Sequence, residues 1–128
     1  YKASEGDVSK LVNANIIFYN GLHLEGKLVE VFEKMGNTNK TQVALGEGLD
    51  KSQLIGSDYF ASNYDPHVWF NIAFFKQFTN QVTHILTKKD PENATNFLEN
   101  EKKYLAKLTQ LEADVSTIIS TLAKRKEF

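Results

Sequence analysis

Two short apolar runs flank one amphipathic stretch near the start of this chain, and that order admits few folds. The first run, Asn15-Ile16-Ile17-Phe18-Tyr19, is bounded by turn residues and rich in β-branched and aromatic side chains, which marks a fully buried strand. Asn20-Gly21 breaks it. Leu24, Leu28, Val31, Phe32 and Met35 then recur at helical spacing, and Gly36-Asn37 supplies a stop. A second short strand follows from Gln42 to Leu45. Strand, helix, strand within about 30 residues is a βαβ unit, with a right-handed crossover and parallel pairing. Two parallel strands alone make a poor sheet, because parallel sheets are usually larger and covered on both faces. The chain is therefore expected to be an α/β piece of something bigger.

The remainder is organised by helices. Gly6 to Asn13 makes a short helix with Val8, Leu11 and Val12 on one side. Gly46 to Tyr64 reads as a loop of about twenty residues, a length that in compact domains tends to be functional or mobile. Phe70, Phe74, Phe75, Phe78, Val82, Ile85 and Leu86 then mark a helix buried over a wide arc, its phenylalanines read as core and not as a ligand box. In the last helix Phe97, Tyr104, Leu108, Leu111, Val115, Ile118 and Leu122 fall at heptad-like steps. From Pro91 to Lys124 it spans on the order of 50 Å at about 1.5 Å per residue. Such a stripe suits a coiled coil, or a strut that packs along one domain and reaches another.

A chain of 128 residues holds one core, burying roughly two-thirds of its unfolded surface. Fifteen basic and sixteen acidic residues nearly cancel, leaving a formal charge of -1. No basic stripe tracks a phosphate backbone, so nucleic-acid binding has no support. The lysines of Lys88-Lys89, Lys102-Lys103 and Lys124-Arg125-Lys126 are expected at helix ends, opposing the dipole or facing solvent. Cysteine is absent, which excludes disulfide staples, cysteine-ligated zinc and thiol catalysis, and is compatible with an extracytoplasmic setting. No apolar run reaches the roughly 18 residues of a membrane span. Any export signal or anchor is expected to lie outside these residues.

The run that carries chemistry is Tyr64-Asp65-Pro66-His67-Val68-Trp69-Phe70, which includes the only tryptophan. Asp65 suits an N-cap and Pro66 the first helical position, so His67 is expected in the first turn of a helix. There the helix dipole disfavours imidazolium and keeps the ring neutral, the form that a metal needs. Asp90-Pro91-Glu92 repeats the same start without a histidine, so Asp-Pro by itself signals only that a helix begins. On chemistry alone His67 stays open between ligand and structural residue. His23 follows the first strand and reads as a structural or supporting residue, and His84, beside Val82 and Ile85, as a satisfied, partly buried histidine. A zinc hydrolase built on His23, Glu25 and His67 fails: no paired-histidine helix motif is present, and residues at i, i+2 leave a helix on different sides.

Asn20-Gly21-Leu22-His23-Leu24-Glu25, taken with Asp65-Pro66-His67-Val68-Trp69-Phe70, resembles the metal-binding receptors of bacterial ABC importers, the TroA-like and ZnuA-like solute-binding lipoproteins. The resemblance covers nearly the whole chain. It implies a fragment of a two-lobed fold, with residues 1–88 as the later part of the N-terminal α/β lobe and 89–128 as the long helix bridging the lobes. In that family two histidines from the first lobe, then a histidine or glutamate and an aspartate from the second, hold the metal. The histidine of the Asp-Pro-His-Val-Trp run is one of them and falls on His67. The other ligands would lie upstream of Tyr1 and after Phe128. The implied cargo is Mn²⁺ or Zn²⁺, and the implied partners are the metal ion and the ABC importer permease subunits. The implied protein is a monomer and not an enzyme, at the cell surface or in the periplasm, reaching the membrane only through a lipid anchor outside this chain. Three departures stand out. Asn71 sits where an acidic residue is common, and Tyr1-Lys2-Ala3 where Tyr-Glu-Pro is commoner. No histidine occurs between Gly46 and Tyr64, where zinc-type members often carry many, which leans toward a manganese-type or broad-specificity receptor. The alternative is a helical protein–protein interaction module, without a metal role, built on Pro91 to Lys124.

Overall fold

The first element begins with a reciprocal cap. Ser4 Oγ accepts the Asp7 N–H at 3.2 Å while Asp7 Oδ2 accepts the Ser4 N–H at 3.0 Å, which satisfies the first orphan donors of α1 (Glu5–Asn13). The computed structural model describes residues 4–35 and 41–123, and the chain separates into two compact units, residues 1–68 and 69–128.

In the first unit β1 (Ile16–Tyr19), α2 (Leu28–Met35) and β2 (Thr41–Ala44) follow α1. The strands pair in parallel, with Ile16 opposite Thr41 and Tyr19 opposite Ala44, so the expected strand–helix–strand unit is present. The strands are less covered than expected: Ile17 alone of the eight strand residues is buried. Gln42 Nε2 donates to the Phe32 carbonyl at 2.9 Å, and the Tyr19 and Phe32 rings lie 4.8 Å apart, which fastens α2 to the sheet. Ile17, Leu22, Phe32, Leu49 and Val68 form the buried apolar set of this unit. Each contributes roughly 1.5–3 kcal/mol by leaving water.

Three local readings need correction here. The helical spacing counted from Leu24, but α2 starts at Leu28, because Gly21, Leu22, His23 and Gly26 all take positive φ and turn the chain before any helix can form. The second strand ends at Ala44, and Leu45 opens a 3-10 turn, Leu45–Gly48. Residues 46–64 are not a featureless loop: a second 3-10 turn spans Lys51–Gln53, and Gly56 and Tyr64 form an antiparallel bridge. The stop at Gly36-Asn37 lies outside the described residues, as do Tyr1-Lys2-Ala3.

The second unit is a helical pair. A short 3-10 turn, Val68–Phe70, leads to α3 (Ile72–Lys89), and Pro91–Asn93 makes another that runs into α4 (Ala94–Ala123). Asn71, not Asp65, is the N-cap of α3, its side chain accepting the Phe74 N–H at 3.1 Å. The buried arc of α3 is narrower than the spacing suggested: Phe74, Phe78 and Thr83 are buried, while Phe70 lies before the helix and is 78% exposed. Against α4, the Phe75 and Tyr104 rings stand 6.4 Å apart and Lys76 Nζ meets Glu112 Oε2 at 2.6 Å. Of the heptad-like positions only Leu108 is buried, and Leu111, Val115, Ile118 and Leu122 are exposed. Lys88 and Lys89 do close α3, but Lys102 and Lys103 lie mid-helix on the solvent side of α4, and Lys124-Arg125-Lys126 is outside the described residues. Among the described residues no helix is long and apolar enough to cross a membrane.

Candidate metal site

The turn after β1 is assembled by one carboxylate. Glu25 Oε1 accepts the Asn20 N–H at 2.7 Å, and Glu25 Oε2 accepts the Gly21 N–H at 3.1 Å, so the strand-end donors are satisfied by a side chain from the following turn. Glu47 Oε1 takes the next donor, the Leu22 N–H, at 3.2 Å. Glycine is required at two positions. Gly21 has φ 77°, and a Cβ there would stand 2.9 Å from the Ala44 Cβ; a Cβ on Gly46 would stand 2.6 Å from the Asn20 carbonyl oxygen. That approach lets the Gly46 N–H donate to the Asn20 carbonyl at 2.7 Å.

The segment entering His67 is equally determined. Ser57 N–H donates to the Asn63 carbonyl at 2.9 Å and Asp65 N–H to the Ile55 carbonyl at 2.8 Å, so residues 55–65 fold back on themselves. Asp65 Oδ1 then accepts from the His67 backbone N–H at 2.9 Å and from His67 Nδ1 at 2.6 Å. This is an Asx turn, in which an aspartate bonds its own chain two residues on. Pro66 and Val68, on either side of His67, are buried, whereas the His67 side chain is 49% exposed. Phe60 meets the imidazole edge-on, ring centroids 6.0 Å apart. The ring is thus anchored by buried neighbours and projects outward.

The electrostatics follow. Hydrogen bonds from the His67 backbone N–H and then from its ring hold the Asp65 carboxyl below the usual range, so it is an anion. An anionic Asp65 can only accept, and Nδ1 must carry the proton, which places the lone pair of a neutral ring on Nε2, the nitrogen away from Asp65. The expectation of a first-turn histidine held neutral by the dipole is corrected here: α3 is capped at Asn71, and a carboxylate, not a helix end, governs the ring. Glu47 is also held below its ordinary range, first by its hydrogen bond with the Lys51 ammonium at 2.7 Å and then by the Leu22 N–H.

The other candidates separate. His23 is exposed at φ 61° in the turn, near Glu47. His84 is exposed on α3, which corrects the partly buried reading: the helix turns that position away from its buried Thr83 side. Glu25 is committed to backbone N–H groups. Among the described residues no three His, Asp or Glu side chains converge as a metal would require. A cavity of about 300 Å³ in the second unit is lined by Trp69, Phe70, Phe75, Tyr104 and Leu111 among others, and offers neither imidazole nor carboxylate. Sequence reasoning missed that Asp65 serves the His67 ring; the Asp-x-His spacing was the available signal.

A sequence profile of the family described as ZnuA, zinc-uptake complex component A, periplasmic, matches residues 1–128. The chain is 38% identical over 112 residues to the manganese-binding lipoprotein MntA of Bacillus subtilis, covering 88% of this chain and 36% of that protein. It is 36% identical over 115 residues to the zinc-binding protein TroA of Treponema pallidum, covering 90% and 36%. To the iron ABC transporter substrate-binding lipoprotein MtsA of Streptococcus pyogenes it is 32% identical over 134 residues, covering 99% and 42%. Among solved structures, the periplasmic zinc-binding protein TroA of Treponema pallidum superposes with a TM-score of 0.82 at 36% identity, over 90% of this chain and 40% of that one. The Mn-bound periplasmic metal-binding protein of candidatus liberibacter asiaticus gives 0.80 at 26% identity, over 94% and 44%. The chain spans about two-fifths of the length of each of these relatives, between 36% and 44%. On the sequence match across all its residues and the shared α/β fold, the chain belongs to the ZnuA family, a family of substrate-binding proteins and not of enzymes.

Proposed function

We propose that this chain is part of an extracytoplasmic receptor that captures a divalent transition metal and delivers it to an ABC importer, with His67 as a metal ligand through Nε2. The observation that carries the reading is the Asp65–His67 pair. A carboxylate on Nδ1 fixes the tautomer and directs the ring, the usual support of a metal-binding histidine. Exposure of the ring allows ligands from other parts of the receptor to complete a shell, since one imidazole does not hold Zn²⁺ unaided.

In this reading residues 1–88 belong to the first lobe, and residues 89–128 contain α4 (Ala94–Ala123) as the helix that bridges to the second. The remaining ligands are supplied by polypeptide outside this chain, and the permease subunits receive the metal. Relatives named for manganese, zinc and iron support a transition-metal cargo. The absence of histidine between Gly46 and Tyr64 supports Mn²⁺ over Zn²⁺, though a nitrogen-and-carboxylate shell suits both and selectivity follows geometry. Relatives named as lipoproteins support a lipid-tethered location outside the cytoplasm.

The test is His67→Ala in the receptor polypeptide that carries this chain, titrated calorimetrically with Mn²⁺ and Zn²⁺ in turn. Affinity drops by orders of magnitude if the reading is right. Unchanged affinity for both metals removes His67 from the site.

A further inference from the structure

We propose that Asn20 is a positioning residue for His67, acting through the Pro66 carbonyl, and that Glu25 holds Asn20 in place; this rests on His67 being a metal ligand. Asn20 Nδ2 donates to the Pro66 carbonyl at 3.1 Å and to the Gly21 carbonyl at 3.0 Å, so its carboxamide N–H groups reach both its own turn and the residue before His67. The Asn20 backbone is fixed as well: its N–H donates to Glu25 Oε1 at 2.7 Å and its carbonyl accepts from Gly46 N–H at 2.7 Å. The turn that follows β1 therefore clamps a peptide unit that leads directly into His67.

Proline makes that clamp effective. Its φ is set by the ring, so holding its carbonyl fixes the orientation of the next Cα with little freedom left. Pro66 and Val68 are buried, Asp65 orients the imidazole, and Asn20 orients the backbone from which the imidazole projects. The residue type matters. Only a carboxamide of this length supplies two N–H donors here; an aspartate would set an anion against two carbonyl oxygens. Supporting partners of metal-binding histidines typically cost about 10- to 100-fold in affinity when removed, which is the effect assigned to Asn20.

The experiment compares Asn20→Asp, Asn20→Ala and His67→Ala in the receptor polypeptide, titrated with Mn²⁺ and Zn²⁺ separately, while ¹⁵N NMR follows the His67 ring in the metal-free protein. The proposal expects Asn20→Asp to weaken both metals about 10- to 100-fold with a cooperative melt retained. It also expects the His67 ring nitrogens to move from a single-tautomer pattern toward an averaged one. Affinity within about twofold of wild type, alongside a large loss in His67→Ala, overturns the role of Asn20 and leaves His67 as ligand. An affinity loss with unchanged ring shifts also overturns it, because Asn20 then acts by general loosening. Unchanged affinity in His67→Ala overturns both readings. Should neither Asn20 variant melt cooperatively, the wild-type carboxamide protons decide: slower exchange with metal bound supports the clamp, and equal rates overturn it.

Discussion

The side-chain amide of Asn20 donates to the carbonyl of Pro66 at 3.1 Å, joining two segments that lie 46 positions apart in the chain. Neither segment is ordered by a long regular element. The Asn20 turn is held by the carboxylates of Glu25 and Glu47, and the Asp65-Pro66-His67 run by an Asx turn. These bonds tie the two segments to groups of fixed position, which is what a site built on connecting segments requires. The chemistry of this unit therefore depends on a network of backbone bonds, and changes that disturb the network without touching His67 should be felt at His67.

Gly46→Ala is the sharpest such change. The new methyl would meet the Asn20 carbonyl oxygen at 2.6 Å and the Leu22 side chain at 3.1 Å, and the first of these is backbone that cannot swing aside. The expected loss is about 1–3 kcal/mol, read as a lower urea midpoint. Gly21→Ala should cost a similar amount for another reason, positive φ at 77° added to a 2.9 Å approach to Ala44. A wild-type midpoint for either variant would show that the turn relaxes freely.

Glu47→Gln tests the electrostatics of the same turn. Glutamine still accepts the Leu22 N–H but loses the ion pair with Lys51, which is half-exposed and worth under about 1 kcal/mol. The wild-type carboxyl is depressed below its ordinary 4.5, so its contribution is present above that pH and is lost as pH falls through the folded value. Wild type should thus be slightly more stable than the variant at neutral pH and equal to it in acid. Urea midpoints at the two pH values check this, and a difference that persists in acid would contradict it.

Asp65→Asn separates backbone from charge. Asparagine keeps an oxygen for the His67 N–H, so the Asx turn survives, but the anion that holds the proton on Nδ1 is gone. Metal affinity in the receptor polypeptide should fall about 10- to 100-fold with the melting temperature nearly unchanged. Calorimetric titration with Mn²⁺ and Zn²⁺ decides, and undiminished affinity would mean the carboxylate is not needed at the ring.

The sequence carried the strand–helix–strand unit because Ile16-Ile17-Phe18-Tyr19 is a short β-branched and aromatic run bounded by turn residues, while the residues from Leu28 to Met35 keep a helical spacing. It singled out His67 as the candidate ligand through the Asp-Pro-His-Val-Trp run. It did not carry the start of α2, since Leu24 falls on the helical period yet sits in a turn dictated by positive φ from Gly21 to His23, a tertiary matter of the Glu25 and Glu47 carboxylates. Nor did it carry the partner of the His67 ring. Asp65 has the composition of a helix cap, and only the fold reveals that its oxygen bonds an imidazole instead. The heptad-like stripe of α4 was legible as a pattern, but Leu108 alone of its positions is covered within these residues.

The misplaced cap yields the last prediction. Asp65 and Asn71 both precede apolar runs, and both are residue types that accept first-turn N–H bonds. Asn71 does so for α3, bonding the Phe74 N–H at 3.1 Å, whereas the Asp65 carboxylate accepts from the His67 backbone and ring. Asn71→Ala should therefore destabilise the helical pair by about 1 kcal/mol, and Asn71→Asp should restore it, since aspartate caps equally well and adds a favourable charge at a helix N-terminus. Helical circular dichroism and urea midpoints for the two variants check the cap, and metal titration of Asn71→Ala should match wild type. A stability loss in Asp65→Ala confined to α3, with none in Asn71→Ala, would reverse the assignment and return the helix start to Asp65.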